Sequence, residues 1–286
     1  MNKKTALILL LGIISCLFSI FLKNPSSNSQ LVLHGSYFEP IHIIDFESEV
    51  PCIELKIEDT RILAKIALGF NGQLSLPGSY LEKLTHKTFL HEVFYSGING
   101  EKYRTSLYTI PEIQTDRLNL YNAESAEDKS SSERLVVGKI GWSFFEHLNF
   151  FLDCNLWLIA ISDSLETLSQ RGYSIQSFVE CPFLLNRKFI EFEAITEKGP
   201  LRCLLDTGTT NNLINTKTLQ NSGLNSESSY CFQNFKIGSR DFGKVSFHAI
   251  DSLSEFDLII GMEFLHSKQL FVDFPNRKLY LSDARD

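Results

Sequence analysis

The residues best suited to chemistry in this 286-residue chain are Asp206-Thr207-Gly208-Thr209, which follow the apolar pair Leu204-Leu205. An aspartate at the end of a buried strand enters a tight turn here. Gly208 lets the backbone pass close behind the carboxylate and can supply an N–H to it. Thr207 and Thr209 offer hydroxyls that can orient the carboxylate or tie one part of the chain to another. Asp and Gly are also among the commonest turn residues, so the tripeptide by itself reads equally well as a turn. Its company sets it apart: Leu213-Ile214 follows closely, and the apolar element Leu258-Ile259-Ile260-Gly261 lies downstream.

Other catalytic patterns are missing. The chain has no Gly-x-Ser-x-Gly elbow, no His-Glu-x-x-His and no phosphate-cradling glycine loop. Its six cysteines form no Cys-x-x-Cys pair and have no histidine at ligand spacing, so neither a metal nor another cofactor is expected. Of Cys52, Cys154, Cys181, Cys203 and Cys231, an odd number, at least one must be free or pair between chains, and most are expected as small buried hydrophobes. A net charge of −7, with no run of Lys or Arg longer than two, argues against a nucleic-acid partner.

The elements that must hold Asp206 occur twice. Val137-Gly138-Lys139-Ile140-Gly141-Trp142-Ser143-Phe144-Phe145, Phe150-Phe151-Leu152-Asp153 and Ile159-Ala160-Ile161-Ser162-Asp163 return 120 residues later (261 − 141). There they read Asp257 to Leu265, Leu270-Phe271-Val272-Asp273 and Leu279-Tyr280-Leu281-Ser282-Asp283. Such self-similarity marks an internal duplication. Upstream, both copies show a strand, a turn and a second strand: Cys52 to Glu58 and Arg61 to Leu68 in the first, Phe189 to Thr196 and Leu201 to Leu205 in the second. Matching Leu76-Pro77 to Ile214-Asn215, an offset of 138 (214 − 76), maps Asp206-Thr207-Gly208 onto Leu68-Gly69-Phe70. The first copy therefore lacks an aspartate where the second has one.

Leu204 to Thr210, Leu213-Ile214 and Leu258 to Leu265 together resemble the retropepsin and pepsin aspartic proteases. The resemblance spans about residues 39 to 283. It implies an all-β fold of two pepsin-like lobes, with Asp206 as the catalytic carboxylate and a peptide or protein as substrate. Such an enzyme needs two carboxylates about 3 Å apart that share a proton, one activating water while the other protonates the scissile carbonyl. One chain supplies a single Asp-Thr-Gly, so hydrolysis calls for a second copy in a homodimer or for an acid elsewhere. Glu92 to Ser96 and Lys102 to Ser106 flank Gly97-Ile98-Asn99-Gly100 as a hairpin would. It is either an ordinary surface hairpin or, as the resemblance implies, a flap, which nominates Tyr95, Gly97, Ile98, Asn99 and Gly100 as peptide-binding residues. The charged stretch Asn122 to Arg134 is expected as a solvated loop.

Residues 1–23 stand apart. Lys3 and Lys4 precede an uncharged run from Thr5 to Leu22, and Lys23 closes it. That pattern predicts a membrane segment with the rest of the chain extracytoplasmic. Ile13-Ile14-Ser15-Cys16 resembles a bacterial lipobox that would place a lipid on Cys16, whereas continuation of the run to Leu22 favours an uncleaved anchor. The expected organisation is an anchor or signal at 1–23, a polar linker at 24–38, a first lobe at 39–165 and a second at 178–286. The leading functional expectation is a membrane-tethered aspartic endopeptidase. Its alternative is a catalytically silent module that binds peptides or proteins in the cleft.

Overall fold

The computed structural model describes residues 29–33, 41–42, 50–96, 101–115, 118–129, 136–154, 156–162, 164–172, 178–185, 189–221, 228–251, 253 and 256–283. Alternation of apolar and polar residues decides the first strands. Cys52–Ile57 and Thr60–Ala67 turn Leu55, Ile57, Ile62, Ala64 and Ile66 into the core and leave Glu54, Lys56 and Lys65 less buried. They pair antiparallel around Glu58-Asp59, with Glu58 in the left-handed region (φ 53°).

Six strands of the first lobe close a ring. Leu118–Asp128, Leu74–Pro77, Val136–Gly141, Thr60–Ala67, Cys52–Ile57 and Lys102–Gln114 follow one another, and the last pairs back onto the first. Closure leaves two edge strands outside the ring, Gln30–Leu33 and Thr88–Ser96. Residues 30–33, expected within a linker, thus extend the first-lobe sheet by pairing with Leu118 to Tyr121. The stretch expected as a loop from Asn122 is strand as far as Asp128.

The second lobe repeats the design. Gly199–Leu205 runs parallel to Leu258–Ile260, which pairs antiparallel with Leu213–Asn215, itself parallel to Val245–Ile250. The first lobe has the same four-strand order: Thr60–Ala67, Val136–Gly141, Leu74–Pro77 and Leu118–Asp128, with the same alternation of parallel and antiparallel pairs.

A third sheet joins the lobes. Its order is Val179–Pro182, Lys278–Asp283, Lys268–Asp273, Asn149–Asp153, Leu158–Ser162 and Ile41–His42. In its centre Phe151 lies opposite Phe271, its own counterpart 120 residues on, so the approximate two-fold axis passes between them. Apolar burial is continuous through both lobes and this sheet, from Leu55 to Phe151, Phe271 and Phe247. The segment connecting the lobes carries a short helix, Leu165–Gln170. Among the described residues no helix is long and apolar enough to cross a membrane; the run from Thr5 to Leu22 lies outside them.

Candidate functional site in the cleft between the lobes

Asp206 stands one residue beyond the strand Gly199–Leu205. Its N–H bonds to Ile260 O at 3.0 Å, so strand pairing continues up to the carboxylate and fixes the backbone beneath it. Thr209 N–H then donates to Asp206 O at 3.3 Å and closes the turn. The side chain is 7% exposed and accepts three hydrogen bonds: Gly208 N–H at 2.8 Å and Gly69 N–H at 3.2 Å to Oδ1, and the Thr209 hydroxyl at 2.7 Å to Oδ2. Two of these donors belong to its own turn. The third, Gly69, comes from the other lobe.

Thr207 ties the lobes together. Its buried hydroxyl donates to Ile66 O at 2.8 Å and accepts from Leu68 N–H at 3.1 Å. Both first-lobe groups would otherwise be buried without a partner at the interface, which is costly. The contact is one-sided, because the first-lobe residue that mirrors Thr207 is Leu68, which has no hydroxyl.

These bonds correct the expected correspondence by one residue. Ala67 aligns with Gly141 in its strand pair as the residue after Leu205 aligns with Gly261, and Phe70 N–H bonds Ala67 O at 2.8 Å as Thr209 N–H bonds Asp206 O. Trp142 N–H to Phe70 O likewise mirrors Met262 N–H to Thr209 O. The degenerate motif is therefore Ala67-Leu68-Gly69, not Leu68-Gly69-Phe70, and the offset is 139 (206 − 67). The error came from the strand that follows. Leu74 pairs with Ile140, one residue before Gly141, whereas Leu213 pairs with Ile259, two before Gly261. Counting back from that strand carries its one-residue slip into the motif.

With the corrected register the glycines of the two turns coincide, and each has a steric reason. A Cβ on Gly208 would come within 2.5 Å of Ala67 Cβ and 3.0 Å of its Cα; one on Gly69 would come within 2.8 Å of Asp206 Cβ. The turns pack against each other too closely for any other residue. Ala67, 5% exposed, occupies the place of a second carboxylate.

The expected hairpin is present: Thr88–Ser96 pairs with Lys102–Gln114, with Tyr95 opposite Tyr103 and Ser96 opposite Lys102. Tyr95 reaches the first-lobe turn, its ring 5.8 Å from that of Phe70. Burial, and then the charge of Glu124, push its phenol above the usual value. Glu124 is itself raised by burial, against the pull of His91. Gly97, Ile98, Asn99 and Gly100 lie outside the described residues.

Sequence reasoning passed over Lys65. Its amine lies 3.4 Å from Gly208 O, on the same side of its strand as Ala67. Burial and the neighbouring Lys139 hold it below the usual lysine value, against the attraction of Asp206 and Asp128. Lys139, directly beside Lys65 in the parallel pair, is bonded to Asp128 at 2.5 Å. The available signal was a lysine inside an otherwise apolar strand, two residues before the counterpart of Asp206. Among the described residues no cluster of His, Cys, Asp and Glu could hold a metal ion.

No family model matches the sequence, and no curated protein matches it either. Solved structures do. An aspartic proteinase from Irpex lacteus superposes with a TM-score of 0.58 at 11% identity, over 86% of this chain and 97% of that one. A basic 7S globulin from soybean gives 0.56 at 9%, over 86% and 94%. Conglutin gamma, a basic 7S globulin from lupine seeds, gives 0.57 at 8%, over 91% and 96%. The fold is that of the pepsin-like aspartic proteinases and the related 7S globulins.

Proposed function

We propose that this protein is a pseudoprotease, a pepsin-like fold that binds an extended peptide between its lobes without cutting it. One observation carries the reading: Ala67 sits where the second carboxylate of a proton-sharing pair would have to stand. A lone carboxylate cannot divide the roles of base and acid between two oxygens on either side of a water. Assembly of two copies does not supply the missing acid, because the grip of Thr207 is already engaged by Ile66 and Leu68 of the same chain. The endopeptidase expected from the motif is therefore set aside in favour of the silent binder. The fold alone does not decide, since it is shared by a proteinase and by seed globulins.

Two features support a binder. The lobes are locked in register by the two turns, and the hairpin carrying Tyr95 lies over the first-lobe turn. Incubation with a mixed peptide library across pH tests the reading, with wild type and Asp206→Asn compared for both cleavage and retention. Retention without cleavage, little altered by the substitution, is expected. Cleavage by wild type that Asp206→Asn abolishes would restore the enzyme.

The uncharged run from Thr5 to Leu22 supports a tether that places this cleft at a membrane surface. Full-length protein should sediment with membranes and a chain starting near residue 29 should not. Full-length protein in the soluble fraction would overturn the tether.

A further inference from the structure

The strand pair leading up to the Asp206 turn differs in kind from its counterpart in the first lobe. In the second lobe the strand residue two before Asp206 is Leu204, and its neighbour on the adjacent strand is Ile259. Both are buried in a small apolar cluster with Leu253 and Phe256. The corresponding pair in the first lobe is Lys65 and Lys139. The fold is thus satisfied by hydrocarbon at this position, and the two ammonium groups are a feature of the first-lobe side alone.

The two cations are not equivalent. Lys139 is matched by Asp128 at 2.5 Å. Lys65 makes one hydrogen bond among the described residues, the 3.4 Å contact to Gly208 O, which leaves most of its donor capacity unused. Asp206 attracts it, but the donors on that carboxylate are Gly208 N–H, Gly69 N–H and the Thr209 hydroxyl, and Lys65 is not among them. A half-buried ammonium with unused donors, on the strand face it shares with Ala67 and within reach of the Asp206 turn, is complementary to an anion arriving there.

We propose that Lys65 is a specificity-determining residue that recognises a carboxylate of the bound peptide, either an Asp or Glu side chain or a free C-terminus. This rests on the peptide-binding reading above. The carboxylate lies on the first-lobe side of Asp206, where the ammonium of Lys65 takes it in a charge-assisted hydrogen bond and Lys139 adds attraction without competing for the contact.

The test is a peptide library with Asp, Glu, Asn and Gln at each position and with free or amidated C-termini, applied to the full chain. Wild type, Lys65→Arg and Lys65→Met are compared. Wild type is expected to favour a carboxylate at one position by about ten- to a hundredfold over its amide, the range of a charged hydrogen bond. Lys65→Arg keeps the preference, and Lys65→Met loses it while still binding the neutral peptides. Amidation that removes the preference assigns it to the C-terminus; amidation without effect assigns it to a side chain. A wild type indifferent to carboxylates, or a preference that survives in Lys65→Met, overturns the role of Lys65 and leaves peptide binding standing. Binding of no peptide at all overturns both. Thermal melting of Lys65→Met guards against misfolding, and the hydrocarbon at the equivalent Leu204 shows that the fold accepts it.

Discussion

Ala67-Leu68-Gly69 and Asp206-Thr207-Gly208 are the same turn built twice, and they differ in the side chains that could do chemistry. Backbone hydrogen bonds, strand pairings and the close approach of the glycines repeat in both lobes. What is absent from the first lobe is one carboxylate and two hydroxyls, since Ala67, Leu68 and Phe70 stand where Asp206, Thr207 and Thr209 do. The geometry of the turn is thus held by constraints independent of catalysis: each glycine is required by the packing of the other lobe, and Thr207 satisfies two buried backbone groups across the interface. A site that has lost half its acids can keep its shape for those reasons alone.

The sharpest way to test how far the lobes are interchangeable is to exchange their flanking residues. Leu204→Lys places an ammonium where Leu204 is 2% exposed and no carboxylate is built to receive it, and should cost about 3–5 kcal/mol, as an uncompensated buried charge does. The reverse exchange, Lys65→Leu, should stay within about 1 kcal/mol, since it relieves the crowding of Lys65 by Lys139. Chemical denaturation of both variants measures the difference; equal costs would show that the two walls are not the contrasting environments described.

Gly141→Ala and Gly261→Ala come next. Each new methyl would overlap carbonyl oxygens of the turn it crosses, Phe70 and Gly72 in one lobe, Thr209 and Asn211 in the other. Both should lose about 3 kcal/mol, at the upper end for overpacking against backbone. Tolerance of one but not the other would break the equivalence of the turns.

Thr207→Val removes the single hydroxyl that serves both Ile66 O and Leu68 N–H, and should cost about 2 kcal/mol. Because nothing comparable exists at Leu68, substitution of Leu68 by Val should instead report only lost apolar volume, about 1 kcal/mol. Differential scanning calorimetry resolves the two, and a smaller loss for Thr207→Val than for Leu68→Val would contradict the one-sided grip.

A modest stability change carries the most information about function. Ala67→Asp should cost about 1 kcal/mol near neutral pH, because two carboxylates then face each other and one is forced to hold a proton. On acidification that repulsion is relieved and a shared-proton pair forms, so weak peptide cleavage should appear with an acidic optimum. Adding Lys65→Val should strengthen it, since a nearby ammonium favours ionisation of both carboxylates. Cleavage assays of the single and double variants against pH check this, with Asp206→Asn in the same background as the control.

Much of this arrangement could be read from the residues. The apolar pair before Asp206, the glycine at 261 and the 120-residue repeat located the second turn, its platform and the strands of the shared sheet. Four features were hidden for physical reasons. The one-residue slip of Leu74–Pro77 against Leu213–Asn215 is a property of strand register, which side-chain pattern constrains weakly where one copy reads Leu-Ser-Leu-Pro and the other Leu-Ile-Asn. Asn122 to Asp128 looks like a loop because it is polar, yet it is paired on both sides, with Lys102–Gln114 and Leu74–Pro77, inside a closed ring. Gln30–Leu33 is an edge strand of four residues within a polar stretch, too short for periodicity to declare itself. Lys65 escaped notice because its meaning depends on the opposite lobe, 143 residues away at Gly208.

The sheet shared by the lobes has a consequence for how the chain is made. Asn149–Asp153 is complete when the ribosome has finished the first lobe, but its partner Lys268–Asp273 begins 115 residues later (268 − 153). At about 5–20 residues per second, a strand bearing Phe150, Phe151 and Leu152 waits roughly 6–23 s with one edge bare. Nascent chains carrying the first lobe alone therefore present an unpaired apolar edge of the kind that chaperones bind and that other strands extend.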